Sequence, residues 1–311
     1  MLQSNNEEVY GFGGQCSWLP VPQWAQALPP EFERQPPVNG YTFPGFSRQA
    51  RYDTDPMFRF IRNWLDRRAI AQASITPAEW DAAFASLPLL DGLSGQERSN
   101  LQELAILFLR RKLVEGAHGL VITQAMALII ALQACLPVLA LGLESYAGWS
   151  TIIVYPSGFA PQRVVRDEYG VEHHTRDHLS GEAWQRGPVI LAWDEVRYAG
   201  YIDGCNLVIH EFAHKLDMQN GVANGFPPLH PDMDLAAWTR AFSTGFEDFQ
   251  RRCARGEDIG IDHYAASSPA EFFAVLSEIF FERPDLLRCH YGAVFEQMKR
   301  YYRQDPLPRL H

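Results

Sequence analysis

The alternation of apolar and polar residues is clearest between about residues 206 and 219, where it predicts a helix with two different faces. Asp203 or Asn206 can cap the start of this helix, and Asn220 with Gly221 can end it. One stripe at i, i+3, i+4 and i+7 is apolar and a second, similarly spaced stripe is polar. The two stripes are Ile209, Phe212, Ala213 and Leu216, and Asn206, His210, His214 and Asp217. We therefore expect one face to pack on a core and the other to line a cleft.

The segment before this helix predicts a further helix and several strands. An apolar run over residues 120–143 approaches the length of a membrane span, but Gln124, Gln133 and Pro137 interrupt it. A buried helix with a break at Pro137 therefore fits it better. Runs rich in β-branched residues predict strands at 151–155, 163–165 and 189–193. Together with the predicted helices, these strands indicate an α+β fold.

The first seventy-four residues differ in composition from the rest. Proline is frequent between residues 19 and 44, which favours an extended arm over a region with its own core. One helix is predicted from Pro56 to Ala71. We therefore divide the chain into a Pro-rich N-terminal extension, residues 1–74, and one large domain, residues 75–311.

The polar stripe carries the motif His210-Glu211-Phe212-Ala213-His214. Residues four apart lie on one helix face, so His210 and His214 can bind one metal ion while Glu211 stands beside it. Catalytic zinc takes three protein ligands and leaves a position for water, from which Glu211 would take a proton. The alternative, two exposed histidines on an ordinary surface helix, does not explain the apolar pattern on both sides of the motif.

A third ligand must come from another part of the chain. In the metzincin pattern it is a histidine, but Asp217 and Asn220 stand where that pattern requires glycine and histidine. That class is therefore excluded. The other common arrangement takes a carboxylate from a helix further along the chain.

Residues 267–278 predict such a helix. Ser268 suits its N-cap and Pro269 its first position. Glu271 follows in the first turn, where a glutamate commonly serves only as a capping residue. Glu278 projects from nearly the same face. The spacing does not choose between the two glutamates.

Composition excludes some classes of function. The formal net charge of -10 argues against a nucleic-acid interface, which needs a basic face. The five cysteines are odd in number and include no C-x-x-C pair, which favours reduced thiols in the cytoplasm. The N-terminus has neither a basic start nor an apolar core, so no secretory signal is expected. We therefore expect a cytoplasmic protein that neither binds nucleic acid directly nor spans a membrane.

Two segments that contain these candidate residues resemble a known family. Residues 206–221 (NLVIHEFAHKLDMQNG) and 264–281 (YAASSPAEFFAVLSEIFF) are similar to the Mlc titration factor A family of zinc metallopeptidases. This is a gluzincin-type group whose catalytic domain is similar to that of anthrax lethal factor. The resemblance runs from near Pro77 to the C-terminus. It also includes residues 89–94, 135–144, 187–191 and 304–307.

The resemblance implies a zincin-like metallopeptidase domain that binds one zinc ion per chain through His210, His214 and Glu271. It also implies that Glu211 is the general base and that Tyr264 belongs to the site. A phenol there could stabilise negative charge that develops on the substrate carbonyl. The common alternative for Tyr264 is a half-buried loop tyrosine.

The implied activity is that of an aminopeptidase acting on small peptides. In zincin-like folds an edge strand binds the peptide, and residues 189–194 are our candidate because they directly precede the motif helix. The family also implies binding of a transcriptional repressor of the Mlc type, which regulates sugar uptake. One alternative to a peptidase is a non-catalytic protein that sequesters such a repressor. Another is a metal site with a purely structural role, which would need a fourth protein ligand. Asp217 is expected to hold a ligand histidine or a neighbouring loop, or else to be a solvated carboxylate.

Overall fold

The computed structural model describes residues 56–157, 162–166, 172–176, 181–183 and 187–309. Its longer helices are α1 (Pro56–Ala71), α2 (Pro77–Ala85), α3 (Gly95–Arg111), α4 (Gln124–Cys135), α5 (Leu207–Asp217), α6 (Leu235–Ala254), α7 (Pro269–Glu282) and α8 (Pro284–Tyr302). Its strands are β1 (Leu113–Gly116), β2 (Thr151–Tyr155), β3 (Gln162–Arg166), β4 (Glu172–Arg176), β5 (Gly181–Ala183) and β6 (Val189–Ala192). This mixture of helices with a small sheet agrees with the expected α+β class.

Local signals set the helix boundaries. Thr76 and Ser94 each form a capping box with the glutamate three residues later, at the starts of α2 and α3. Thr123 caps α4 by accepting a hydrogen bond from the backbone of Met126, and α4 ends at Cys135. The predicted break at Pro137 is therefore confirmed. Asn206 caps α5, as its position before the apolar stripe predicts.

The main sheet has the strand order β1-β2-β6-β5. Strands β1, β2 and β6 are parallel, whereas β5 is antiparallel to β6. The prediction that residues 189–194 form an edge strand is wrong, because β6 is paired on both sides and all four of its residues are buried. Val189 to Ala192 is a continuous apolar run, which is typical of a strand covered on both faces. Strands β3 and β4 form a separate antiparallel pair.

Helix α5 lies inside the molecule rather than on its surface. Its neighbours are α4, α7, β5 and β6. Phe212 packs on the rings of Tyr146, Phe108 and Trp149, with centroids 5.0, 5.6 and 5.6 Å away. The expected polar face on a cleft is therefore wrong for Asn206 and Asp217, which are fully buried among hydrogen-bonding partners.

Two lysines, one within α5 and one at the end of α3, are also buried. Lys215 is 1% exposed and donates a hydrogen bond to the carbonyl oxygen of Gly187. Lys112 donates to the carbonyl oxygens of Tyr146 and Trp149. The two ammonium nitrogens lie 3.7 Å (Lys112) and 4.8 Å (Lys215) from the centre of the Trp149 ring. Burial lowers the pKa of each lysine to about 8.

The remaining predictions concern the N-terminal extension, the cysteines and the membrane. Residues 1–55 lie outside the described residues, and the predicted helix of the extension is α1, which packs against α3.

Cys205 is disulfide-bonded, so the expectation of reduced thiols is wrong at that position. Pairing depends on which side chains meet in the fold, which cysteine spacing does not reveal. None of the described helices has the length and apolar character needed to cross a membrane.

Candidate metal centre

Helix α5 holds both histidines of the motif on one face. The side chain of Asn206 accepts a hydrogen bond from the backbone of Ile209 at the start of the helix. His210 and His214 follow one turn apart, with ring centroids 4.8 Å from each other. Their Nε2 atoms are 3.2 Å apart. The helix therefore directs two imidazole nitrogens to one point.

Helix α7 brings Glu271 to the same point. Ser268 caps this helix by accepting a hydrogen bond from the backbone of Glu271 at 3.2 Å. The Glu271 carboxylate contacts the histidines, so its role is not limited to capping the start of α7. Its Oε2 lies 3.1 Å from Nε2 of His210 and 3.3 Å from Nε2 of His214.

The three groups have the geometry and chemistry of a metal site. Two imidazole nitrogens and one carboxylate oxygen form a His2Glu donor set, which is a set used by catalytic zinc. In a tetrahedral site with bonds of about 2.0–2.1 Å, ligand atoms lie roughly 3.3 Å apart. The observed separations of 3.1 to 3.3 Å match this spacing. Within the described part of the chain no fourth His, Cys, Asp or Glu joins the group, which argues against a closed structural site.

The electrostatics of the centre favour a positive charge. Burial raises the pKa of Glu271, but hydrogen bonds from His210 and His214 outweigh it and hold the pKa well below its usual range. Burial lowers the pKa of His210, but its contacts with Glu271 and Glu278 raise that pKa well above its ordinary value. A single proton can be shared by only two of the three ligand atoms, which are Nε2 of His210, Nε2 of His214 and Oε2 of Glu271. A metal ion can bind all three at once.

The structure also puts the two predicted catalytic residues near this centre. Glu211 is 4% exposed and follows His210 directly in α5. Its negative charge contributes to raising the pKa of His210 and of Lys215. Tyr264 lies in the turn His263–Ala266 just before α7. Its ring centroid is 6.3 Å from that of His210, and the residue is 46% exposed. Tyr264 therefore borders the centre on a side that solvent reaches.

Glu278, the other candidate for third ligand, occupies a different position. Its Oε1 lies 2.7 Å from Nδ1 of His210, on the ring nitrogen that does not face Glu271. Its Oε2 accepts a hydrogen bond from the backbone N–H of Asn206. The helix spacing could not distinguish the two glutamates, but their contacts in the fold do. Glu271 joins the ligand group, and Glu278 contacts the opposite ring nitrogen of His210.

A buried polar network lies beside Glu278 that sequence reasoning did not predict. The Asn206 amide donates hydrogen bonds to Gln133 and to Glu282, each at 2.9 Å. Glu282 also accepts from the backbone N–H groups of Gly200 and Gly204. Burial raises the pKa of Glu282 to about 8. Gln133, a polar residue inside the apolar run, and Asn206, a polar residue of the motif helix, were the signs of this network in the sequence.

Asp217 holds a neighbouring loop, which was one of its expected roles. Its carboxylate accepts hydrogen bonds from the backbone N–H groups of Asn224, Gly225 and Phe226. Gly225 has a φ of 76°, and a Cβ there would lie 2.4 Å from the carbonyl oxygen of Pro269. The loop therefore fits tightly against the first residue of α7, two positions before Glu271.

Comparison with known proteins points to a family of metallopeptidases. The family model described as glucose-regulated metallo-peptidase M90 matches residues 61–303. Mlc titration factor A of Serratia proteamaculans (strain 568) is 42% identical over 238 residues, covering 76% of this chain and 90% of that protein. Proteins of the same name from Escherichia coli O9:H4 (strain HS) and Yersinia pestis (strain Pestoides F) are 40% and 38% identical over 76% and 79% of this chain, and 89% and 92% of their own lengths. With a match over most of its length to both the family model and these relatives, the chain belongs to the glucose-regulated metallo-peptidase M90 family.

Proposed function

We propose that the protein is a zinc-dependent peptidase in which His210, His214 and Glu271 hold one zinc ion. The observation that carries this proposal is the convergence of their three ligand atoms at mutual distances of 3.1 to 3.3 Å. Catalytic zinc uses two imidazoles and one carboxylate, and although some iron sites share this donor set, two histidines four apart on a helix with Glu211 beside the first are typical of zinc peptidases. The family resemblance further supports a zincin-like fold, similar to the catalytic domain of anthrax lethal factor.

The residues around the zinc ligands have distinct tasks in peptide hydrolysis. A bound zinc ion polarises the substrate carbonyl and lowers the pKa of water. Glu211 takes the proton from the attacking water and returns it to the leaving amine. Its burial and its place directly after His210 in α5 support this task. The phenol of Tyr264 donates a hydrogen bond to the carbonyl oxygen as negative charge develops on it.

A variant series tests the zinc mechanism. Glu211→Gln removes the proton acceptor but no ligand, so it should abolish hydrolysis and keep one zinc per chain. His214→Ala removes a ligand and should lose both. Zinc content by mass spectrometry and peptide cleavage with and without a chelator measure these outcomes. Undiminished turnover by Glu211→Gln would remove Glu211 from the mechanism, and chelator-resistant activity would count against zinc.

The family resemblance further supports an aminopeptidase, which requires a free α-amino group on its substrate. Matched peptides that differ only in N-terminal acetylation test this point. We expect cleavage of the free peptides alone. Equal cleavage of both sets would indicate an endopeptidase.

A second function is binding of a repressor. The relatives carry the name Mlc titration factor A, and this supports a partner of the Mlc type for this chain. The net charge of -10 suits such a partner, because DNA-binding proteins present basic surfaces. If the function were only sequestration, Glu211→Gln would bind the repressor normally and the wild-type protein would cleave no peptide. A pull-down with purified repressor, beside the peptidase assay, distinguishes these cases.

A further inference from the structure

We propose that Glu278 is a positioning residue that fixes the ring of His210 for metal binding. This inference rests on the zinc site proposed above and concerns a residue outside its ligand group. Glu278 Oε1 lies 2.7 Å from Nδ1 of His210, and the residue is 7% exposed. A hydrogen bond from Nδ1–H to a carboxylate leaves the lone pair of Nε2 available for a metal and makes that nitrogen a stronger donor.

The second oxygen of Glu278 ties this ring to the start of its own helix. It accepts the backbone N–H of Asn206, the N-cap residue of α5. One carboxylate therefore sets both the rotation of the His210 ring and the distance between α7 and the first turn of α5. Since α7 also carries Glu271, a single helix holds both nitrogens of the same imidazole.

The two ligand histidines differ in this respect. Nδ1 of His214 is buried and has no hydrogen-bond partner among the described residues. His214 is held by packing inside α5, whose surrounding residues are buried. Loss of Glu278 should therefore affect one ligand, His210, and leave the other in place.

Glu282 provides a matched control on the same helix. It lies one turn after Glu278, is 1% exposed, and also accepts backbone N–H groups. Its carboxylate contacts the loop before α5 and the side chain of Asn206, and no contact with either histidine is found among its hydrogen bonds in the described structure. A substitution at Glu282 therefore has a similar structural cost without removing an acceptor from a ligand.

The experiment compares zinc and cobalt binding by the wild-type protein, Glu278→Gln and Glu282→Gln. The glutamine amide has one acceptor oxygen for the two donors that Glu278 accepts, so either His210 or the Asn206 backbone loses its partner. We expect Glu278→Gln to bind zinc about 10–100-fold more weakly in chelator competition. The visible spectrum of its cobalt form should change as well, because in either case the His210 ring is held less firmly. Glu282→Gln should unfold at a lower temperature but bind both metals as tightly as the wild type.

Three outcomes would overturn the inference. If Glu278→Gln matches the wild type in zinc affinity and cobalt spectrum, Glu278 does not position His210, while the zinc site itself stands. If Glu282→Gln loses as much affinity as Glu278→Gln, the effect is a general loss of structure around α7. If the wild-type protein binds neither metal, the proposed function fails and this inference fails with it.

Discussion

Glu271 and Glu278 contact opposite nitrogens of one imidazole ring from the same helix. Seven residues of an α-helix return to nearly the same face but advance by about 10 Å. The ring of His210 lies between the two carboxylates, with Nε2 towards Glu271 and Nδ1 towards Glu278. Both glutamates therefore face α5, and their separation along the axis gives them different tasks.

Glu282 leads to a prediction about pH. Burial raises its pKa to about 8 from an ordinary value of 4.5. Between these two values the folded protein keeps a proton that the unfolded chain releases, so this group makes the free energy of unfolding fall as pH rises from about 4.5 to 8. Glu282→Gln has no such proton and should lose less stability over the window. Urea unfolding of the metal-free proteins between about pH 5 and pH 8 measures the slopes, and equal slopes would contradict the raised pKa.

Single residues also show how far sequence reasoning reaches. His210 and His214 could be selected because helix periodicity alone puts them on one face. The contact of Gln133 with Asn206 joins positions 73 apart in the chain, and no local pattern contains it. Lysine nearly always lies on the surface. The burial of Lys215 against Trp149 depends on a backbone carbonyl and an aromatic ring from other segments. Such contacts arise only after the elements have packed.

At the scale of elements, the position of α7 relative to α5 is set at both ends of their contact. Near one end Glu278 accepts the backbone N–H of Asn206. Near the other, Asp217 holds the loop whose Gly225 packs against Pro269. The caps and apolar stripes predicted both helices, but not this relative placement, because it depends on hydrogen bonds between segments. The wrong assignment of β6 as an edge strand has the same origin: pairing partners are not a local property.

Gly225→Ala tests the second of these contacts. Its added Cβ would meet the Pro269 carbonyl oxygen and displace the start of α7, and with it Glu271. Gly119→Ala is the matched control, because Gly119 has a similar φ of 78° but open space around it. The control should lose only the backbone strain of about 1–2 kcal/mol. Gly225→Ala should lose more stability and bind zinc more weakly, as measured by urea unfolding and chelator competition. Equal losses with unchanged zinc affinity would show that this contact does not place Glu271.

At the scale of the whole molecule, zinc binding and folding should be coupled. The ligands come from α5 and α7, and His210 and Glu271 are 61 positions apart, so the donor set exists only in the folded chain. Free zinc at about 100 times its Kd would stabilise the fold by about 2.7 kcal/mol. For a domain of this size that raises Tm by roughly 5–10 °C. Calorimetry of the wild-type protein with zinc and with a chelator measures this shift. His214→Ala should show no shift, because two ligands hold zinc far more weakly than three. An unchanged Tm in the wild type, with zinc content verified, would contradict a site whose ligands meet only in the folded chain.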